Sequence, residues 1–274
     1  MKRLSIIPIV ISALIACEKP VTDVEIPKAE KKVSVFCIIS PDDSMITAQL
    51  SYSAPIFTQS LGPELITDAD VELSGNNQTV KLLYNNFLQA YIADTLTFKI
   101  KRGTLYRISV KTKAGETVTA NCIVPSSYVP LLSALPLRRK EDLDRYTYRI
   151  LATWIDEPLI KNYYRLYTEE KIDVMGGAPF YNDLGSTMYE DKDKDGKRLE
   201  VSNYLNYITE GIVNNFDVYL LNTDVHYYKY HLSRLNDKGN DPFSEPNIVY
   251  SNIEGGLGCF GAYSKTHVSV LGPW

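Results

Sequence analysis

Between Lys32 and Pro125 the chain runs through seven short segments in which apolar and polar residues alternate: VSVFCII, MITAQLSYS, DADVELSG, QTVKLLY, FLQAYIA, LYRISVKT and ETVTANCIV. Alternation with a period of two places the apolar side chains on one face of a strand, and such a face has to be buried against a second layer. Seven strands at this spacing, separated by turn residues, predict an antiparallel β-sandwich.

SGNNQ and KAGE supply two of the turns, and the arrangement expected is of the immunoglobulin or prealbumin kind. No histidine lies in this half, and no catalytic grouping is visible in it. A proline-punctuated stretch, PSSYVPLLSALP, and the charged LRRKEDLDR follow, so residues 126–145 read as a linker between a sandwich at 32–125 and a C-terminal domain at 146–274. The second domain holds all 3 histidines and 15 of the 20 tyrosines. In YTYRILATW, Tyr146, Tyr148, Ile150, Ala152 and Trp154 fall on one face of a strand. NYYRLYTEEKIDV, NFDVYLLN, NIVYS and KTHVSVLG are further strand candidates. In TDVHYYKYHLSRLNDKG, Val225, Tyr228, Leu232 and Leu235 recur at helical spacing, with Thr223 or Asp224 as N-cap and Gly239 beyond the end. The fold class expected is therefore mainly β, with one amphipathic helix packed on the second β-rich domain.

The N-terminus, MKRLSIIPIVISALIAC, places Lys2 and Arg3 before an apolar run too short to span a bilayer, the pattern of a secretory signal over residues 1–16. Its end, Leu14-Ile15-Ala16-Cys17, resembles the bacterial lipoprotein signal, in which a small residue precedes the cysteine whose sulfur receives the lipid. The alternative is an ordinary signal peptide with a chance cysteine. Residues 17–31, polar and proline-bearing, suit a flexible tether. Removal of residues 1–16 leaves 27 Lys+Arg against 33 Asp+Glu, a net charge of −6, so no basic surface for nucleic acid is expected. Three further cysteines, Cys37, Cys122 and Cys259, have no CxxC spacing, which argues against a zinc or thioredoxin-like site. Cys37 and Cys122 sit in the first and last strands of the first domain; they are read as core thiols, with a disulfide as the alternative if those strands are neighbours.

Several motifs imitate chemistry. Gly256, Gly258 and Gly261 have the spacing G-x-G-x-x-G, but 13 residues follow the last glycine and they read as a strand, where a dinucleotide fold needs a helix and an acidic residue about 20 positions on. No nucleotide cofactor is expected; Gly255 and Gly256 should supply positive φ, and Gly258 or Gly261 a close approach. In DKDKDGKRLEVS, Asp191, Asp193, Asp195 and Gly196 match the first half of a calcium loop, yet position 12 is Ser202 and Glu200 falls two short. A solvated hairpin turn is the preferred reading and calcium the alternative. His226 and His231 are not an i, i+4 metal pair, and Ser264, His267 and Glu254 form a triad only on paper. Tyr163, Tyr167, Tyr227 and Tyr230 have strand and helix phases that would permit one exposed patch, the candidate binding surface.

The string FSEPNIVYSNIEGGLGCFGAYS, including Pro246, Asn252, Gly256, Gly258, Phe260, Gly261 and Tyr263, resembles the closing segment of a family of Bacteroidota outer-membrane lipoproteins known as domain of unknown function 4249. CEKPVTDVEIPKAEKKVSVFCIIS resembles the same family's entry into its first strand. The resemblance implies a lipid-anchored envelope protein encoded near TonB-dependent receptors, and implies no activity or site residues. It favours the hairpin over calcium at residues 191–202 and a buried strand position for Cys259. The expectation is a non-enzymatic accessory of a TonB-dependent receptor, active in substrate binding or assembly. The alternatives are a degradative surface enzyme and a calcium-dependent adhesin.

Overall fold

The computed structural model describes residues 30–53, 63–142, 145–172, 179–205, 215–235 and 248–272. The signal at 1–16, Cys17, most of the 17–31 tether, Gly239 and Pro246 lie outside the described residues. The first half contributes β1 (Val33–Ile39), β2 (Met45–Tyr52), β3 (Glu64–Leu65), β4 (Asp70–Gly75), β5 (Gln78–Asn85), β6 (Ala90–Asp94), β7 (Leu105–Lys111) and β8 (Thr117–Ile123). The second contributes β9 (Leu131–Asp142), β10 (Arg145–Ile155), β11 (Tyr163–Ile172), β12 (Phe180–Glu190), β13 (Arg198–Tyr204), β14 (Asn215–Thr223), helix α1 (Val225–Leu235) and β15 (Leu257–Leu271). The fold is mainly β, and all seven strands read in residues 32–125 are present. Among the described residues no helix is long and apolar enough to cross a membrane.

The hydrogen-bonded path runs β12-β11-β14-β15-β1-β2-β6-β5-β4-β7-β8, with β3 beside β2. Its fold-over lies in β5, whose residues 78–82 pair with β4 while 83–85 pair with β6. The strands on either side of this corner face each other as the first sandwich, around Val35, Cys37, Leu73, Tyr106, Ile108 and Phe260. Asn76 and Asn77, both at positive φ, make the β4–β5 turn that SGNNQ predicts. A separate sheet, β13-β10-β9, covers the other end of the long path and encloses a second core around Ile150, Trp154, Tyr164, Leu166 and Phe216.

One strand serves both cores. β15 pairs in parallel with β1 through Leu257–Ala262 and antiparallel with β14 through Tyr263–Leu271. Phe260 and Ala262 are buried in the first core, and Val268 and Val270 pack against the second. Burial of Phe260 alone is worth about 1.5–3 kcal/mol.

The linker expected at 126–145 is corrected: Leu131–Asp142 is strand β9. Charge and Pro136 hid it, and both are tolerated because β9 is the edge of its sheet. The two cores do part near residue 125, yet Lys31–Trp274 forms one compact unit, because β15 completes the first sandwich from the far end of the chain. NIVYS is also corrected: Ile248–Ser251 is not a strand but runs beside α1, with the Tyr250 amide donating to Ser233 Oγ at 3.0 Å.

Candidate functional site

The glycine segment explains how β15 reaches its neighbours. A Cβ on Gly258 would lie 2.0 Å from the Val35 carbonyl oxygen, and one on Gly256 would lie 2.5 Å from that of Val33. Gly261 admits the first turn of α1: its Cβ would stand 3.0 Å from the Tyr227 amide and 3.2 Å from Asp224 Oδ1. The motif is thus a strand junction. Positive φ belongs to Gly255 (78°) and Gly258 (111°), not to Gly256 as expected.

Asp224, not Thr223, caps α1. Its Oδ1 accepts from the amides of Tyr227 at 2.8 Å and of Ala262 at 3.2 Å, joining helix to β15. The buried residues of the helix are Tyr227 and Tyr228, whereas Leu235, expected on the apolar face, is 57 % exposed. Of the expected stripe Tyr228 is buried, and Tyr227 beside it is seated by the close backbone approach at Gly261.

Beside Asp224 opens a cleft of about 560 Å³ where the end of β8 and the 125–127 segment meet residues 160–163 and 222–226. Its lining includes Ser127, Asn222 and Asp224, and each has a buried atom without a hydrogen-bond partner among the described residues: Ser127 Oγ, Asn222 Nδ2 and Asp224 Oδ2. Asn222 is 2 % exposed and Asp224 8 %. Burial pushes the Asp224 carboxyl up to about 7, against the amides that favour its charged form. Sequence reading named Asp224 only as a cap and missed Asn222 and Ser127. A signal was there: Phe216, Val218 and Leu220 are buried on alternate positions of β14, and Asn222 continues that face with an amide.

The four tyrosines do not form one exposed patch. Tyr227 is 4 % exposed, and its hydroxyl accepts from Arg165 Nη1 at 2.8 Å. Tyr163 and Tyr167 are half-buried on the face of β11 opposite Tyr164 and Leu166. Tyr163 meets the Tyr228 ring at 4.8 Å; Tyr167 stacks on Tyr219 at 4.6 Å, and Tyr219 on His267 at 5.6 Å. Tyr230 packs over Phe36 of β1 at 5.5 Å. The result is an aromatic ladder threaded by Arg165, which lies 5.5 Å from the Tyr167 ring centre.

The acidic turn gathers different carboxylates from those the sequence proposed. Asp156, Asp191 and Asp195 each bring one oxygen within 4.8 Å of the others, and Asp193 is not part of the group. Asp156 accepts from the Tyr164 hydroxyl at 2.6 Å and the Gly196 amide at 2.9 Å, Asp191 from the Asn162 amide at 2.9 Å, and Asp195 from the Leu159 amide at 2.8 Å. The turn is not a hairpin, since β12 and β13 belong to different sheets. Asp156 also carried a signal, continuing the buried face of Ile150, Ala152 and Trp154.

The remaining candidates have structural partners. Cys37 and Cys122 are free and buried in the first core, and burial pushes the Cys37 thiol up to about 12. Cys259, also free and buried, is pushed up likewise and donates to the His226 carbonyl at 3.6 Å. His226 Nδ1 lies 2.7 Å from the Tyr250 hydroxyl, while His231 packs against Tyr227 at 4.3 Å. Ser264 accepts from Arg102 Nε at 3.3 Å, Glu254 from Thr119 at 3.1 Å, and His267 stacks on Tyr219, so the three do not converge.

Fold and site define a mainly β protein of two sandwiches joined by a shared strand, with a polar-floored cleft beside its helix. The profile of the family described as domain of unknown function (DUF4249) matches residues 19–269, and the chain belongs to that family. No curated protein matches the chain.

Proposed function

We propose that the protein is lipid-anchored at the outer membrane and works without catalysis of its own, as a substrate-binding or assembly accessory of a TonB-dependent receptor. The observation that carries this reading is the N-terminal segment, an apolar run closing on Ala16-Cys17 and followed by a polar tether that leads into β1 at Val33. Two or three acyl chains on Cys17, at about 0.8 kcal/mol per buried methylene, would hold the chain durably at a membrane. Supporting it, the β11–β14–β15 face is rich in tyrosine and carries Arg165, residue types that dominate the energetics of protein interfaces. Gentle detergent extraction of the tagged protein from native membranes should recover a TonB-dependent receptor in stoichiometric amount. Recovery of the chain alone, with Cys17→Ser releasing it from the membrane, would remove the receptor from the reading and leave the anchor.

A calcium-dependent adhesin is the second reading, favoured by the convergence of Asp156, Asp191 and Asp195. On that reading millimolar calcium raises the melting temperature of the wild type and not of Asp195→Asn. Equal melting of both with and without calcium would dismiss it.

A further inference from the structure

The cleft beside α1 has a polar floor that none of the described residues satisfies. Among the described residues five buried side-chain atoms lack partners, Trp154 Nε1 and Arg165 Nε being two of them; each costs about 1–3 kcal/mol, and native folds leave few. The other three line one cavity: Asp224 Oδ2, an acceptor when the carboxyl is ionised and a donor when it is protonated, a donor on Asn222, and the Ser127 hydroxyl, which is both. The volume, about 560 Å³, lies inside the range of about 300–1,000 Å³ typical of small-molecule sites.

The chemistry of the floor narrows the ligand. An anion would be brought against the Asp224 carboxyl. A cation would satisfy Asp224 and be set against the Asn222 amide, itself a donor. The cations nearby are already committed, for Lys161 Nζ is bound to Glu190 at 2.5 Å. His226 is engaged with Tyr250, and burial lowers its pKa, disfavouring the charged ring. The functional group that donates and accepts from one atom is the hydroxyl, and adjacent hydroxyls answer all three unpaired atoms together. The walls are of the complementary kind: Leu105, Ile123 and Ile160 are 57 %, 56 % and 42 % exposed there, and Tyr163 adds a ring. Such surfaces suit the C–H faces of a sugar ring.

We propose that this cleft binds a neutral saccharide, whose hydroxyl groups donate to Asp224 Oδ2 and accept from Asn222 Nδ2 and Ser127. The inference deepens the accessory reading, on which it rests only for where the ligand goes after capture. It is tested on the detergent-solubilised full chain, by thermal melting and titration calorimetry with maltotriose, cellobiose, chitobiose and mannobiose, and with tri-alanine and spermidine as peptide and cation probes. At least one saccharide should raise the melting temperature, by about 5–10 °C at a concentration roughly 100-fold above its Kd.

Asn222→Leu should abolish that shift while melting higher than the wild type when unliganded, because it replaces an unpaired buried amide with an apolar group of similar size. A purely structural role for Asn222 predicts the opposite change in the unliganded melt. Should Asn222→Leu fail to fold, Ser127→Ala, at a half-buried position outside the strands, carries the same test through a weakened saccharide shift. A response to tri-alanine or spermidine alone, no response to any saccharide, or a shift retained in both variants would each overturn the proposal. A chain that co-purifies with a receptor yet binds no saccharide keeps the accessory reading and loses this one; saccharide binding without a receptor does the reverse.

Discussion

A methyl group on Gly258 would sit 2.0 Å from the Val35 carbonyl oxygen and 2.8 Å from its carbon, on a backbone whose φ of 111° side chains rarely adopt. Both neighbours are main chain, so no rotamer change relieves the clash. Gly258→Ala is expected to cost more than about 3 kcal/mol, against about 1 kcal/mol for Gly115→Ala, which has positive φ but open space around it. Urea denaturation of the two variants measures the difference. At Asp224 and His231 the strain is electrostatic. Burial raises the first carboxyl to about 7 and lowers the second imidazole to about 4. Between about pH 4 and pH 7 the folded protein holds a proton on Asp224 that the unfolded chain has released, so this contribution to stability falls as pH rises. Between about pH 4 and pH 6.5 the unfolded chain holds a proton that folded His231 lacks, so that contribution grows as pH rises. The two oppose each other, at about 4 kcal/mol for Asp224 and about 2 kcal/mol for the less buried His231. Asp224→Asn should therefore turn the pH dependence toward greater stability with rising pH, and His231→Phe should turn it the other way, as read from urea midpoints between pH 4 and pH 7.

At the scale of elements, the acidic turn separates what a motif proposes from what packing uses. Asp156 closes the inner face of β10 and accepts from both the Tyr164 hydroxyl and the Gly196 amide, so its side chain fixes the chain's passage from β12 to β13. Asp156→Ala strands both donors and should cost about 2–4 kcal/mol in thermal or urea unfolding, whereas Asp193→Ala, outside the cluster, should stay within about 0.5 kcal/mol. The same contrast tells how much was legible beforehand. Strands with strict alternation, such as VSVFCII in β1 and VTANCI in β8, could be read directly, because one buried face forces period two. β9 escaped because a sheet edge accepts charge and proline, and β12 lies at the other kind of edge, the end of the long sheet. The parallel pairing of β1 with β15 left no local trace, since it depends on a contact between residues more than 200 positions apart. The buried polar positions were legible only as residues continuing apolar faces, Asn222 in the floor of the cleft and Asp156 in the acidic turn. Which of them would find partners is decided by tertiary contacts: Asp156 is satisfied and Asn222 is not.

At the scale of the whole molecule, the shared strand couples two cores that composition presents as separate. β15 lends Phe260 and Ala262 to one and Val268 and Val270 to the other, and a network at the crossing reinforces it. Arg102 reaches Asp42 at 2.7 Å and Ser264 at 3.3 Å, Lys265 reaches Asp43 at 3.0 Å, and the Tyr263 hydroxyl donates to Asp43 at 2.5 Å. Neither sandwich keeps a complete core without this strand, because withdrawing it exposes buried aromatic surface on one side and an unpaired sheet edge on both. The halves should consequently unfold together. In a Trp274→Phe background Trp154 fluorescence reports the second core, and the joint reactivity of Cys37 and Cys122, both buried in the first, reports the other once Cys17→Ser and Cys259→Ala remove the remaining thiols. Coincident urea midpoints for the two probes are expected, and a chain ending at residue 145 should not fold, since it lacks β15. Separate midpoints, or a folded 1–145 fragment, would show that β15 docks onto a first sandwich already stable alone, and the glycines that admit it would then matter for docking and not for folding.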